Sequence, residues 1–298
     1  MGVKTAGALK PLQYIIESTF GVLPSGQLSY GGKLQTQSQT NNHDIETFAE
    51  DGSRTVGLKT WGQQEAGFSV ELGTYLDSGD YSWTYLLELA MGESGAARGD
   101  IDSFSALFEA APDQFYLYRG CKVNNLTLAA SGVGKAMMAT MDAVAMIGEE
   151  PATTKAQLLS NADATIPALN PVTHNKYPEM SLDSVVIPAM SYSITIGNNL
   201  VQKEGIVDGK ALKGGSLIYP GDIMSVSMEY TVASTSLFWD RLKMAETDDF
   251  TVTHQIGGYE LTFEHCWIPG DDMPSRTQTG YDETITFNAA NISWEAVQ

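Results

Sequence analysis

At 298 residues the chain is long enough for about two domains, and a hydrophobic content of 43% lets each bury a core. Its 36 Asp and Glu against 17 Lys and Arg leave a formal net charge of -19, which excludes a groove that grips nucleic acid, because affinity for the phosphate backbone comes from basic side chains displacing counterions. Charged residues make up only 18% of the chain, so the acidity reflects scarce basic residues more than the dense acidic surface of a salt-adapted protein.

Residues 1–27 carry few helix or strand signals and end in the turn-rich Gly21-Val-Leu-Pro24-Ser-Gly26, which predicts an extended arm. Residues 28–37 alternate as a strand. Ser38 to Arg54 is polar, rich in Asn and Asp, and longer than the about two to five residues of an ordinary hairpin connection, so a long functional loop is expected. Val56 to Trp61 and Phe68 to Leu72 read as strands. Trp83, Leu86, Leu87 and Ala90 then fall at helical spacing and predict one helix lying on a sheet. Phe104 to Met146 reads as three or four antiparallel strands. Glu149 to Pro188 holds Pro151, Pro167, Pro171, Pro178 and Pro188, and is expected to be a linker, because proline removes ladder donors and fixes φ.

The same order of elements then returns. Phe250 to Trp294 answers Phe104 to Met146, with Phe104 meeting Phe250, Pro112-Asp113 meeting Gly257-Gly258, and Cys121 meeting Cys266. Upstream, Phe68 to Leu72 faces Val226 to Tyr230, and residues 28–37 face residues 190–199. A second polar loop is expected at Val201 to Gly215, and a second helix at 236–245 from Leu237, Phe238, Arg241, Leu242 and Ala245. The offset between copies drifts as loop insertions would make it. The reading is a mainly β chain with internal duplication: an arm at 1–27, one unit at 28–148, a linker at 149–188 and a second unit at 189–298. Each half runs strand, long loop, two strands, short helix, three-strand meander.

No catalytic constellation emerges. Ser131-Gly-Val-Gly-Lys135 partly matches a phosphate-binding loop, but it lacks the first glycine and the hydroxyl after the lysine, so a hairpin turn is expected. His254, His265 and Cys266 are read as surface or core-edge residues, since His265 and Cys266, adjacent on a strand, point to opposite faces. His43-Asp44 has no nucleophile motif beside it. Met137, Met138, Met141 and Met146 suit flexible core or interface packing. Cys121 and Cys266, at equivalent ends of strands in separate units, are expected to be free thiols. Asn125-Leu-Thr127 and Asn291-Ile-Ser293 fit the glycosylation acceptor pattern, which carries no weight without a signal peptide. The start of the chain lacks the charged lead and apolar run of a secretory signal, and no apolar stretch approaches the ~20 residues of a membrane span, so assembly in a reducing cytoplasm is expected.

The order of elements and several phrases resemble the tail tube proteins of long-tailed, siphovirus-like bacterial and archaeal viruses. The phrases are Gly21 to Ser25, Phe68-Ser-Val-Glu-Leu72 before a Leu-rich helix, Tyr118-Arg-Gly-Cys121-Lys-Val-Asn124, the segment Ser191 to Leu200 with Ile196-Gly-Asn198-Asn199-Leu200, and a final strand from Asp282 to Trp294. The resemblance covers nearly the whole chain.

It implies two tandem antiparallel β-sandwich or barrel tube domains, each with a flanking short helix, one sheet of each lining a channel, and long loops reaching a neighbouring ring. Inter-ring contacts would then come from Asn41, Asn42, His43, Asp44, Glu46, Glu50, Asp51, Lys203, Lys210 and Lys213. Glu71, Glu229, Glu260 and Glu264 are the candidates for the lumen wall, where a lysine ring would hold DNA at every level. Three chains of two units would imitate a six-fold ring in the virion tail, assembled in the host cytoplasm. The implied partners are further copies of the chain, tail tip and tail terminator proteins, and a tape measure protein during assembly, with DNA passing unbound and no membrane. No enzyme activity, cofactor or metal is implied. Another tail or head-tail joining protein, and a cell-surface β-sandwich binding protein, stay open as alternatives.

Overall fold

Strict alternation decides the strands. In Met138–Ala145, Ala139, Met141, Ala143 and Ala145 are buried, while the residues between them are half-buried or exposed. In Phe250–Ile256 every second residue is buried in the same way. The computed structural model describes residues 12–49, 56–77, 80–92, 101–111, 114–149, 170–172, 179–207, 209–221, 224–233, 249–269 and 282–297. In chain order the strands are β1 (Leu12–Ile16), β2 (Ser29–Ala49), β3 (Val56–Gly73), β4 (Tyr75–Asp77) and β5 (Asp80–Tyr81). Helix α1 (Ser82–Met91) precedes β6 (Phe104–Ala111), β7 (Gln114–Ala130), β8 (Met138–Ala145) and β9 (Ile147–Gly148). Then come β10 (Asn170–Pro171), β11 (Glu179–Leu182), β12 (Val185–Gly197), β13 (Val201–Val207), β14 (Lys210–Tyr219) and β15 (Ser225–Ala233). The last three are β16 (Phe250–Ile256), β17 (Tyr259–Trp267) and β18 (Asp282–Ala296).

The pairings close two cycles with one topology. In the first half the order is β1, β2, β3, β8, β7, β6 and back to β1, all antiparallel. In the second it is β11, β12, β15, β18, β17, β16 and back to β11. Registers agree too: Phe104 stands opposite Cys121 as Phe250 stands opposite Cys266, and Glu71 opposite Thr140 as Glu229 opposite Thr286. The β3 and β15 correspondence expected from sequence holds. For β2 it shifts, because Leu34 faces Leu72 as Tyr192 faces Tyr230, so Tyr192 corresponds to Leu34 and not to Tyr30.

Four further expectations are corrected. The stretch expected to be an extended arm contains β1, which pairs with both β2 and β6 and buries Leu12 and Tyr14. Ser38 to Arg54 is not a loop in its described part: β2 continues to Ala49 and β3 begins at Val56, because backbone pairing of the two strands, and not an apolar period, makes this segment β. Val201 to Gly215 likewise forms the hairpin β13–β14. The span expected to be a linker contributes β10, β11 and the start of β12. The helix expected at 236–245 lies outside the described residues.

One core runs through both halves. Trp83, Leu86, Leu87 and Ala90, the predicted face of α1, are fully buried, and Trp83 meets Tyr259 of the second half edge-on at 5.7 Å. The cycles are also joined strand to strand, since β12 pairs with β7 from Tyr192 opposite Ala130 to Gly197 opposite Asn125. At the end of this seam Asn198, almost fully buried, donates from Nδ2 to the carbonyls of Ala90 (2.7 Å) and Val123 (2.8 Å). Its neighbour Leu200 donates its N–H to Asn124 Oδ1 at 2.9 Å. Gly197 cannot be replaced without movement here, because a Cβ would stand 2.6 Å from Ser225 Oγ.

A second buried polar knot seals β1. Glu17 accepts from the N–H of Gly21 (2.7 Å), the N–H of Gly120 (2.9 Å) and the hydroxyl of Ser105 (2.6 Å). Arg119 ties the same region down through Glu149 at 2.6 Å and the Gly21 carbonyl at 3.1 Å. Both cysteines are free and buried; burial holds the Cys121 thiol well above its ordinary range and pushes Cys266 up to about 12. The methionine cluster is mostly core, with Met137, Met141 and Met146 buried.

Asn198→Ala is expected to destabilise the folded chain by about 3 kcal/mol, since it leaves two buried carbonyls without their donor. Urea unfolding measures this, and a loss below about 1 kcal/mol would show that the clasp is incidental.

Candidate assembly surfaces

The seam makes one sheet face continuous across the chain. Following the registers from β2 to β17 gives a row of Thr36, Glu71, Thr140, Thr127, Thr195, Ser227, Asn288 and Trp267. Short hydroxyl side chains dominate it. Thr127 and Thr195 hydrogen-bond across the seam at 3.0 Å, and Thr36 donates to Glu71 at 3.4 Å. The predicted Glu71 and Glu229 stand on this solvent side, at matching places in the two halves. Glu260 and Glu264 lie on β17 at its far end, where Glu260 accepts from Gln255 (3.2 Å) and Glu264 from Asn291 (2.6 Å). The threonine row was not singled out from sequence, although Leu-Thr-Leu at 126–128 and Ile-Thr-Ile at 194–196 carry the alternation that produces it.

A second surface is the pair of arms. From Leu34 onward β2 pairs with β3 alone among the described residues. Between His43 opposite Gln64 and Ala49 opposite Val56 the two strands form a ribbon of roughly 20 Å. The β13–β14 hairpin lies along its base: Leu212 stands beside Gln64 in parallel pairing, and Lys213 meets Glu65 at 2.9 Å. Leu212 is fully buried against Met146 and Ile147. Of the residues expected at an inter-ring contact, Asn41 is half-buried at the base, where it bonds Gln64 and donates to the Gly148 carbonyl at 3.5 Å. Asn42 is exposed, and His43, Asp44 and Glu46 lie in the free ribbon. Glu50 and Asp51 fall outside the described residues. Lys203, which sits 5.3 Å above the Tyr219 ring, and Lys210 are exposed on the second hairpin with Lys213.

The remaining candidates separate. Ser131 to Lys135 is the turn between β7 and β8, closed by Lys135 N–H on the Gly132 carbonyl at 3.1 Å. His254 is buried against the rings of Tyr192 (4.4 Å) and Tyr230 (5.4 Å). His265 is exposed and bonded to Asp249. No group of three or more His, Cys, Asp or Glu that could hold a metal ion occurs among the described residues.

A mainly β chain with a continuous sheet face rich in hydroxyl side chains, and, among the described residues, an open sheet edge and two long hairpins, has the surfaces of a structural subunit that assembles with others. Its sequence says which: residues 7–296 match the phage tail tube protein family, and the chain belongs to that family. It is a structural protein of the virion tail. No curated protein matches it.

The Asp249 hydrogen bond, then its charge and that of Glu264, raises the His265 pKa above its ordinary 6.5. Any stability this pair adds is therefore complete below pH 6.5 and fades as pH rises through the raised value, and full exposure keeps it small. An NMR titration should place the midpoint above 6.5, falling back in Asp249→Asn; an unchanged midpoint in that variant would remove Asp249 as the cause.

Proposed function

We propose that three chains close into a ring of six similar barrel units, the products of a tandem duplication, and that such rings stack into a hollow tube through which DNA leaves the virion. The observation that carries this is the unequal use of one edge. In the second half, the β12 edge from Tyr192 to Gly197 is filled by β7. The corresponding edge of β2, from Leu34 to Thr40, has no strand beyond it among the described residues. An open edge of this length invites pairing, and a neighbouring copy that fills it as β7 fills β12 continues the sheet until the ring closes.

The dimensions are compatible with this. If four strands from each half face inward, about 24 strands spaced ~4.8 Å apart give a backbone circle of roughly 37 Å across before strand tilt, room for a duplex after side chains are added. The hydroxyl row, with Glu71 and Glu229 on the same face, would form the wall. It offers DNA no ring of lysines, and the acids of this face, with Glu260 and Glu264 toward its end, repel phosphate across a lumen only partly screened by salt. Catalysis has no part in this role. Tail tip, tail terminator and tape measure proteins are the other partners it calls for. The arms would reach the neighbouring ring, since a two-stranded ribbon is marginal in water without something to pack on.

Native mass spectrometry should find rings close to three times 32.2 kDa, and electron microscopy should find hollow tubes. Replacing residues 45–60 with a short turn should leave rings that fail to stack. Rings of six chains overturn the trimer, and normal tubes from the shortened variant overturn the role of the ribbon.

A further inference from the structure

Two exposed apolar patches lie at opposite ends of the path that β12 and β13 trace. At the far end, the outward face of β13–β14 presents Val201, Ile206 and Leu217, with Ile206 79% exposed. The register shifts between Lys203 and Gly205, and on either side of the shift these residues lie on the face away from the buried one: Val201 opposite Tyr219, Lys203 opposite Leu217, Ile206 opposite Ala211. The other side of the hairpin buries Leu212 and Ile218. At the near end, β12 opens with Val186, Pro188 and Met190 exposed on one face, Val186 at 51%. Ala130 stands opposite Tyr192, and the turn beyond it, which leads on to β8, carries Val133, 63% exposed.

The charges around the patches are opposite. Lys203, Lys210 and Lys213 surround the hairpin patch, against Glu204. Asp183, in the turn that leads into β12, and Asp249 flank the other and are both exposed; Asp183 accepts the Thr251 N–H at 3.2 Å, and Asp249 holds His265. In a chain with so few basic residues, three lysines on one short hairpin are a concentration.

Met190 lies on β12, which pairs with β11, β15 and β7, whereas the β13–β14 hairpin pairs with β3, so no strand pairing among the described residues joins the two patches within one molecule. We infer that the Val186, Pro188 and Met190 patch is the docking site for the β13–β14 hairpin of another copy of this chain. The contact is heterologous, different surfaces meeting head to tail, and a contact of this kind that does not close on itself generates a filament. It rests on the tube reading above and names where each ring receives the next. Apolar residues in the centre exclude water, while the lysine and aspartate pairs at the rim set orientation and speed of encounter.

The test uses the full chain with Val186→Asp and Met190→Asp combined, with Ile206→Asp, and with single Met190→Cys and Ile206→Cys proteins, all at exposed positions. The aspartate variants should melt with the wild type and form rings of the same mass, but need a concentration about tenfold higher or more to grow tubes. Mixed Met190→Cys and Ile206→Cys proteins should give a disulfide-linked pair of chains in samples that contain tubes and none in isolated rings. Should an aspartate variant not fold, the cysteine pair decides alone. Tubes growing from the patch variants at wild-type concentration, or cross-links inside isolated rings, overturn the docking site while leaving the tube. Wild-type protein that forms rings and tubes under no condition overturns the assembly reading, and this with it.

Discussion

Strand β7 pairs with four others, β6, β8, β9 and β12, and the rest of the structure follows from that. Its first part pairs with β6, while its second part is held between β8 on one side and β12 on the other. A shorter strand could close the first cycle but could not reach the second. Because it reaches, two closed cycles become one sheet, Leu126 and Leu128 bury beside Ile194 and Ile196, and α1 is caught between the halves with Trp83 against Tyr259. Asn198 then gives donors to the carbonyls of Ala90 at the end of α1 and Val123 in β7, where both halves meet.

The seam also explains the character of the solvent face. In the tube proposed above, a wall for a passing polyanion would need side chains that neither grip phosphate nor expose wide apolar area. Threonine meets both needs and keeps high strand propensity. Its hydroxyls bond to one another across strands, as Thr127 and Thr195 do, which leaves fewer donors aimed outward. The acids are spaced among them, not massed, and the net charge of -19 comes from the whole chain.

The arms differ in physical kind from the rest. Within the cycles each strand pairs with a neighbour on either side over at least part of its length. Among the described residues the outer part of β2–β3 pairs only within its own hairpin, and in the assembly proposed above it would draw support from what it touches there. Where the arms join the body they are well anchored, by Leu212 in its small apolar cluster, by Asn41 and Gln64 around Gly148, and by the Lys213 pair with Glu65. A rigid root with an unsupported end suits a contact that forms late in assembly.

Alternation and repetition were enough to read the β class, the recurrence of the pattern, the buried face of α1, and the matching of Phe104 and Cys121 with Phe250 and Cys266, because each depends on side chains at fixed spacing along one segment. The pattern around residues 38–49 misled for the same reason: the segment carries no apolar period, so only its pairing with β3 reveals it. β1 was illegible too, being short and made a strand by the β2 and β6 edges it lies between. Which edge is filled and which is open cannot be written in local sequence at all. Tyr192 to Gly197 and Leu34 to Thr40 occupy equivalent places, and only the reach of β7 in space separates the closed edge from the free one.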